Sequence, residues 1–462
     1  MATLDPILGW FSFLLISVVV LIAPWLFGAW EAWWFWPFVV CIFAAAFLSA
    51  LRLVTGGHMR SVAGPTRTRI VFLLGAVCLP FIIYASVRFL QAEVFMDAER
   101  SFLLFLTPMM LAGMIIIGFT RSQNELLYGL VIADLFLLGC YGLLNHHLTG
   151  SAKVMWVTSD FVQYAGRATG SYFCPDHFSG IMELLFCLGL GLVLKGRNRS
   201  TAGQNLLTDL ASRLLAAPLL MVAVAGVAIS QSRGGGITIV VCVLAALVLA
   251  IGHLPAWLRW TLRIGAILAL VGAISVFWQS DNSYAKRFRT YFAWEEIQER
   301  PREEAAQVIG DRLKTTARYN MYSAAYRAWE TEPWYGVGPG MHQHLWYHLA
   351  ASPDGDRETG QWPSRPNASR RSYEVHSDWL QLLEEYGVVG LLLFLLMSVT
   401  VFTVLLVAVV KSRFHYAAVG AALAAVAIAF HSLGDFNMQI PATVWMFVAI
   451  LAISIAGQVR SS

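Results

Sequence analysis

Residues 388–410 read VVGLLLFLLMSVTVFTVLLVAVV, without a single charged side chain. As a helix rising 1.5 Å per residue, such a run covers about 30 Å, the hydrocarbon thickness of a bilayer. It falls in an expected helix over 380–410. Comparable apolar runs predict further helices at 8–27, 34–51, 70–87, 102–119, 126–144, 178–195, 213–230, 236–251, 262–278, 416–431 and 441–457. The chain of 462 residues is 58% hydrophobic and 13% charged, against about 25% charged in a soluble domain. Ordinary soluble, disordered and collagen-like classes are therefore excluded. The fold expected is all-α and polytopic, with about twelve transmembrane helices and one large, partly helical outer loop. Three segments are expected: 1–212, holding the first six helices and an outer loop at 145–177; 213–410, a core of four helices enclosing the loop 279–377; and 411–462, the last two helices.

Basic residues orient the chain. With both termini inside, the inner loops hold fourteen Lys and Arg, from Arg52 to Arg460, and the short outer loops hold five: Arg88, Arg100, Lys153, Arg167 and Arg233. That bias follows the positive-inside rule, which long translocated loops such as 279–377 do not enter. The net charge of +4 is too small and dispersed for a nucleic-acid partner. Five of the six cysteines lie in apolar segments and only Cys174 in a loop, so neither a disulfide framework nor a metal pattern is present. The first apolar run lacks a basic leader and a small-residue cleavage site, and reads as a retained helix. Trp25, Trp30, Trp33, Trp34 and Trp36 suit an interfacial aromatic belt.

The residues that could carry chemistry lie in outer segments. Arg233 stands between two apolar runs and precedes Gly234, Gly235 and Gly236. Glycines there would let backbone approach a ligand, and free N–H groups at a helix start beside a guanidinium suit a phosphate. An arginine snorkelling to headgroups fits equally. The loop from Arg167 to Phe178 adds a second outer arginine, with Gly170 and Pro175 as turn signals and Asp176 as a helix cap. Thr315–Glu332 reads as a helix stopped by Pro333. Arg318, Tyr322, Ala325 and Trp329 share one of its faces. Such a face could grip phosphate and stack on sugar, or lie on the membrane surface. Gly336-Val337-Gly338-Pro339-Gly340 is a flexible elbow lacking the βαβ context of a dinucleotide motif. His342, His344 and His348 read as an interfacial segment in preference to a metal site. His376, just before the Ser377-Asp378 cap of the last long helix, could accept a proton, since imidazole has a reference pKa near 6.5; a lone histidine is also often structural. The turn from His431 to Pro441 is polar enough to line a water-filled cavity. Asp134 and Glu183 are buried acids with no expected role.

Taken together, Ser230-Gln231-Ser232-Arg233-Gly234-Gly235, Arg318 with Tyr322, Trp329 and Pro333, Gly336 to Gly340, His376-Ser377-Asp378-Trp379-Leu380 and Glu385-Tyr386-Gly387 resemble the O-antigen ligase and O-antigen polymerase superfamily. The Arg167 loop looks like the first outer motif of that family, and the order of the motifs spans 167–441. The resemblance implies an inverting, metal-independent glycosyltransferase of C-type membrane architecture that needs no cofactor. Its donor would be a glycan on undecaprenyl pyrophosphate, at the periplasmic face of the bacterial inner membrane. By the same resemblance, Arg167, Arg233, Arg318, Gly234 and Gly235 would bind the pyrophosphate. His376 and Arg318 would be catalytic, and Tyr322, Trp329, His431 and Asp435 would contact glycan or acceptor. The acceptor expected is a hydroxyl of lipid A–core, which makes a ligase. The alternative is a polymerase extending a second lipid-linked repeat unit. A transporter or flippase of lipid-linked glycans is disfavoured, because no internal repeat is visible and the polar motifs sit at the rim. The stretch Met341–Tyr373 would handle the acceptor.

Overall fold

The computed structural model describes residues 4–54, 65–158, 164–194, 205–251, 256–298, 300–314, 316–349, 372–411 and 415–461. Its helices are α1 (Leu4–Ile22), α2 (Ala32–Val54), α3 (Pro65–Leu90), α4 (Phe95–Gly113), α5 (Arg121–Thr149), α6 (Pro175–Val193), α7 (Asn205–Ser230), α8 (Arg233–Ile251), α9 (Ala256–Gln279), α10 (Ser283–Tyr291), α11 (Trp294–Ile297), α12 (Arg302–Lys314), α13 (Ala317–Thr331), α14 (His342–Leu349), α15 (Asp378–Lys411), α16 (Tyr416–His431) and α17 (Pro441–Ser461). The only departure from an all-α chain among the described residues is a small antiparallel hairpin, Lys153–Val154 against Val157–Thr158.

All twelve expected apolar segments are helical. Among the described residues, seven helices, α1 to α6 and α15, are long and apolar enough to cross a membrane. The apolar parts of α7, α8, α16 and α17 are shorter, and α9 meets α10 at a bend of 93°. The short ones end at polar motifs: Ser230, Arg233, His431 and Pro441 are their termini. The loop 279–377 is partly helical and contains α10 to α14. Its residues 350–371, most of the expected acceptor stretch, lie outside the described residues.

One buried core draws on all three sequence segments, with α6 and α17 inside it. Trp445 of α17 is fully buried. It stacks on Phe35 with ring centroids 6.0 Å apart and donates its indole N–H to Thr107 at 2.9 Å. Close approach of α6 to α16 needs small residues, as is usual where apolar solvent gives helices no reason to associate by hydrophobicity alone. A Cβ on Gly191 would lie 2.4 Å from the Tyr416 carbonyl oxygen. Asp134 has a packing explanation: it accepts the Trp25 indole N–H at 2.7 Å.

The turn from Gly336 to Gly340 is not the free elbow the sequence suggests. It is clamped to a break in α15 at Gly387. The Val337 and Gly338 N–H groups donate to the Glu384 and Glu385 carbonyls at 2.9 and 3.1 Å, and the Val388 N–H donates to Pro333 at 3.0 Å. Gly336 and Gly387 both have positive φ, and a Cβ on either would overlap the other strand's backbone at 2.4 Å. Glycine is required there. His342 is likewise no surface residue. It is buried, with Nδ1 2.9 Å from Glu384 Oε2.

Candidate active site

At one end of the bundle the motifs converge on the turn between α16 and α17. Asp378, at the start of α15, fixes this turn: its carboxylate accepts from the Ser432 hydroxyl at 2.6 Å and the Met438 N–H at 3.1 Å. Ser377 supplies the helix cap through the Leu380 N–H. The turn presents Asp435, whose side chain is 1% exposed. Three cations or potential cations surround it: Arg318 Nη2 at 3.7 Å, His376 Nδ1 at 3.4 Å and His431 Nε2 at 3.8 Å. Burial alone would push the Asp435 carboxyl up. The adjacent His376 imidazole and Arg318 guanidinium outweigh this and hold it well below the usual carboxylate range.

Arg318 and Tyr322 lie one turn apart on α13. The Tyr322 hydroxyl donates to the His376 carbonyl at 2.9 Å, and burial raises its pKa to about 12. His376 itself sits at φ +61°. That left-handed backbone costs a non-glycine residue about 1–3 kcal/mol and persists only where the surroundings enforce it. Here the Gln381 side chain also holds the preceding residue, by accepting the Val375 N–H at 3.2 Å. Phe436 lies edge-on between the imidazoles of His376 and His177, 4.5 Å from each. The His376 side chain keeps 26% exposure.

Arg167 enters from the loop before α6 and Arg233 from the start of α8. Arg167 is buried; its Nε donates to the Ser230 carbonyl at 2.8 Å and its Nη2 to Asp176 Oδ1 at 2.9 Å. Asp176 therefore pairs with Arg167 and does not serve as the helix cap expected from sequence; Cys174 occupies the cap position. Arg233, half-buried at the start of α8, packs its guanidinium 3.9 Å from the centroid of the Tyr291 ring. Arg318, Arg287 and Asp176 all lie within its electrostatic reach.

Gly234 and Gly235 serve packing, whereas the sequence suggests a phosphate-binding backbone. The Gly235 N–H already donates to Ser232 Oγ at 3.2 Å. An added Cβ at Gly235 would fall 1.8 Å from Ser179 Oγ, and one at Gly234 would fall 2.6 Å from His431 Nε2. We expect Gly235→Ala to destabilise the protein by about 1–3 kcal/mol, the usual cost of overpacking. A thermal melt of the purified variant checks this, and an unchanged midpoint would contradict it.

The four residues expected to contact glycan or acceptor also face inward or elsewhere. His431 and Asp435 are almost fully buried, and His431 Nδ1 is 2.8 Å from Glu183 Oε1. This pairing gives Glu183 its role. Trp329 lies farther along α13 and donates its indole N–H to the Pro333 carbonyl at 3.0 Å. Tyr322 and Asp435 touch the His376 segment directly, through the His376 carbonyl and the His376 imidazole respectively. Sequence reasoning missed Arg287 on α10, which lies within electrostatic reach of Arg167, Asp176 and Arg318; its only sequence signal is a basic run, Lys286-Arg287-Phe288-Arg289. Beneath the turn, an apolar cavity of about 800 Å³ opens between α3, α4, α15, α16 and α17, reaching Asp378, Trp379 and Ser432 at its polar end.

Such a fold and site describe a helical membrane protein with a cationic, histidine-bearing pocket at one end of its bundle. Residues 218–395, the segment that holds Arg233, Arg318 and His376, match the protein-family model described as O-antigen ligase. A search of curated proteins gives no match.

Proposed function

We propose that the protein is an O-antigen ligase-type glycosyltransferase. It moves a glycan from undecaprenyl pyrophosphate to a hydroxyl of lipid A–core, at the periplasmic face of a bacterial inner membrane, with both termini cytoplasmic. The observation that carries this is the gathering of Arg318, Arg233 and Arg167 around the same end of the bundle as His376, with Asp435 between Arg318 and His376. The apolar cavity below is suited to a hydrocarbon chain whose headgroup lies at the turn.

In the reaction, the acceptor oxygen bonds to the anomeric carbon while the bond from that carbon to the pyrophosphate oxygen breaks. The electron pair leaves on undecaprenyl pyrophosphate, and single displacement inverts the centre. Negative charge grows on the leaving oxygen, so Arg233 and Arg318 stabilise it; hydrogen bonds to charged groups contribute about 1.5–3 kcal/mol each. Arg167, already bonded to Asp176, adds its field from behind. His376 faces Asp435 through Nδ1, which leaves Nε2 to take the acceptor proton and pass it to water.

Glycan extracts from a strain lacking the gene test this reading. Long glycan chains retained on the lipid carrier are expected, whereas single repeats on the carrier would make the protein a polymerase. Unchanged surface glycan would overturn both assignments. Complementation with Arg233→Ala should leave membrane insertion normal and the lipid-linked glycan accumulated, as seen by immunoblot and lipid extraction; restored transfer would remove Arg233 from the site.

A further inference from the structure

We infer that Arg287 is a further diphosphate-binding residue, which with Arg233 forms the open half of the grip on the lipid-linked donor. The inference rests on the donor reading above. Charge pairing carries it. Among the described residues, the guanidinium groups of Arg167, Arg233, Arg287 and Arg318 share one electrostatic neighbourhood with the carboxylates of Asp176 and Asp435. Two of these arginines are already matched: Arg167 with Asp176 at 2.9 Å and Arg318 with Asp435 at 3.7 Å. Arg233 lies against the ring of Tyr291, and the buried Arg287 Nε has no hydrogen-bond partner among the described residues. Neither has a carboxylate within ion-pair distance among the described residues. Two unmatched positive charges within each other's electrostatic reach, one with a buried donor lacking an acceptor among the described residues, are costly without a bound anion. A diphosphate supplies both the opposite charge and acceptor oxygens spaced for guanidinium forks.

The local fold is built to hold Arg287 there. The 93° bend after α9 lays α10 across the start of α8. The Tyr284 hydroxyl donates to the Ser232 carbonyl, the Gln231 amide donates to Ser283 Oγ at 2.9 Å, and Asn282 caps the helix through the Ala285 N–H at 2.7 Å. Tyr284, Arg287 and Tyr291 recur at helical spacing and so share one face of α10. The other basic residues of this helix are engaged elsewhere or exposed. Arg289 donates to the Trp278 and Ser280 carbonyls, and Lys286 faces solvent.

The test titrates undecaprenyl pyrophosphate, and separately inorganic pyrophosphate, into the purified full-length protein. Arg287→Gln should weaken both by at least about tenfold. It should also raise the donor KM in transfer assays more than it lowers kcat. Arg287→Lys, a point charge without a fork, should recover part of the loss. Lys286→Gln should bind as wild type does. Wild-type affinity in a folded Arg287→Gln protein would overturn this assignment and leave the donor reading intact. A wild-type protein that fails to bind undecaprenyl pyrophosphate would overturn the donor reading itself. Should Arg287→Gln not fold, Arg287→Lys decides: wild-type affinity for both ligands in that variant would overturn the assignment.

Discussion

His376→Ala protein should insert and bind undecaprenyl pyrophosphate like wild type, yet transfer glycan about 10²–10⁴-fold more slowly, the usual contribution of a positioned general base. The expectation rests on geometry. His376 is partly exposed, its Nδ1 is 3.4 Å from the Asp435 carboxylate, and the Tyr322 hydroxyl, which donates to its carbonyl at 2.9 Å, helps to hold its left-handed backbone. Such backbone strain is kept at functional positions because neighbours enforce it. Replacing the imidazole removes the proton acceptor and leaves the arginines in place, so the donor KM should move little while kcat falls. Initial rates at saturating donor check this. Wild-type kcat in a folded His376→Ala protein would remove the base from the mechanism.

The second large effect is expected at Asp435, from which the sequence reading expects a contact to glycan or acceptor. Its carboxylate is the anion shared by Arg318, His376 and His431. Asp435→Asn keeps the shape and removes the charge, so it unpairs the half-buried Arg318 guanidinium and releases the His376 ring. Breaking a fully buried pair from one side costs about 3–5 kcal/mol, and the partial exposure of Arg318 reduces that cost here. Transfer should fall at least about 10²-fold, together with the melting temperature. The pH dependence has a definite sign. The folded carboxyl is held below its unfolded value, so its contribution to stability is complete above about pH 5 and fades only as pH falls below about 4. The melting-temperature gap between wild type and Asp435→Asn should therefore persist from pH 8 to about pH 5 and narrow in stronger acid. A gap that disappears between pH 7 and 6 would mean that the histidines, not Asp435, set the stability of the cluster.

The membrane class was legible in the apolar runs alone, because hydrocarbon thickness translates directly into run length. Helix α13 and its pairing of Arg318 with Tyr322 were legible too, since Thr316 caps its start and Pro333 stands just past its end. Depth was the property that periodicity could not reveal. Gly234 and Gly235 look like a ligand-cradling turn, but the space at their Cα atoms is filled by His431 and Ser179, from helices about fifty residues or more away in the chain. Asp176 looks like a cap because it stands at a helix start, yet Arg167 claims it across nine residues of loop. Asp435 and His431 look exposed in a polar turn, although the fold turns them inward, to Arg318 and Glu183. Arg287 lies in a basic run indistinguishable in sequence from a solvated face, and only the bend between α9 and α10 brings it over α8. In each case the deciding contact is long-range, made by a segment whose own local pattern says nothing of its partner.

A structure of the full-length protein with undecaprenyl pyrophosphate bound would test the diphosphate grip most directly. Diphosphate oxygens are expected within about 3.2 Å of the Arg233 and Arg318 guanidinium nitrogens, on the side of the pocket facing His376. Diphosphate held elsewhere on the protein, with those two arginines still turned to Tyr291 and Asp435 alone, would contradict it.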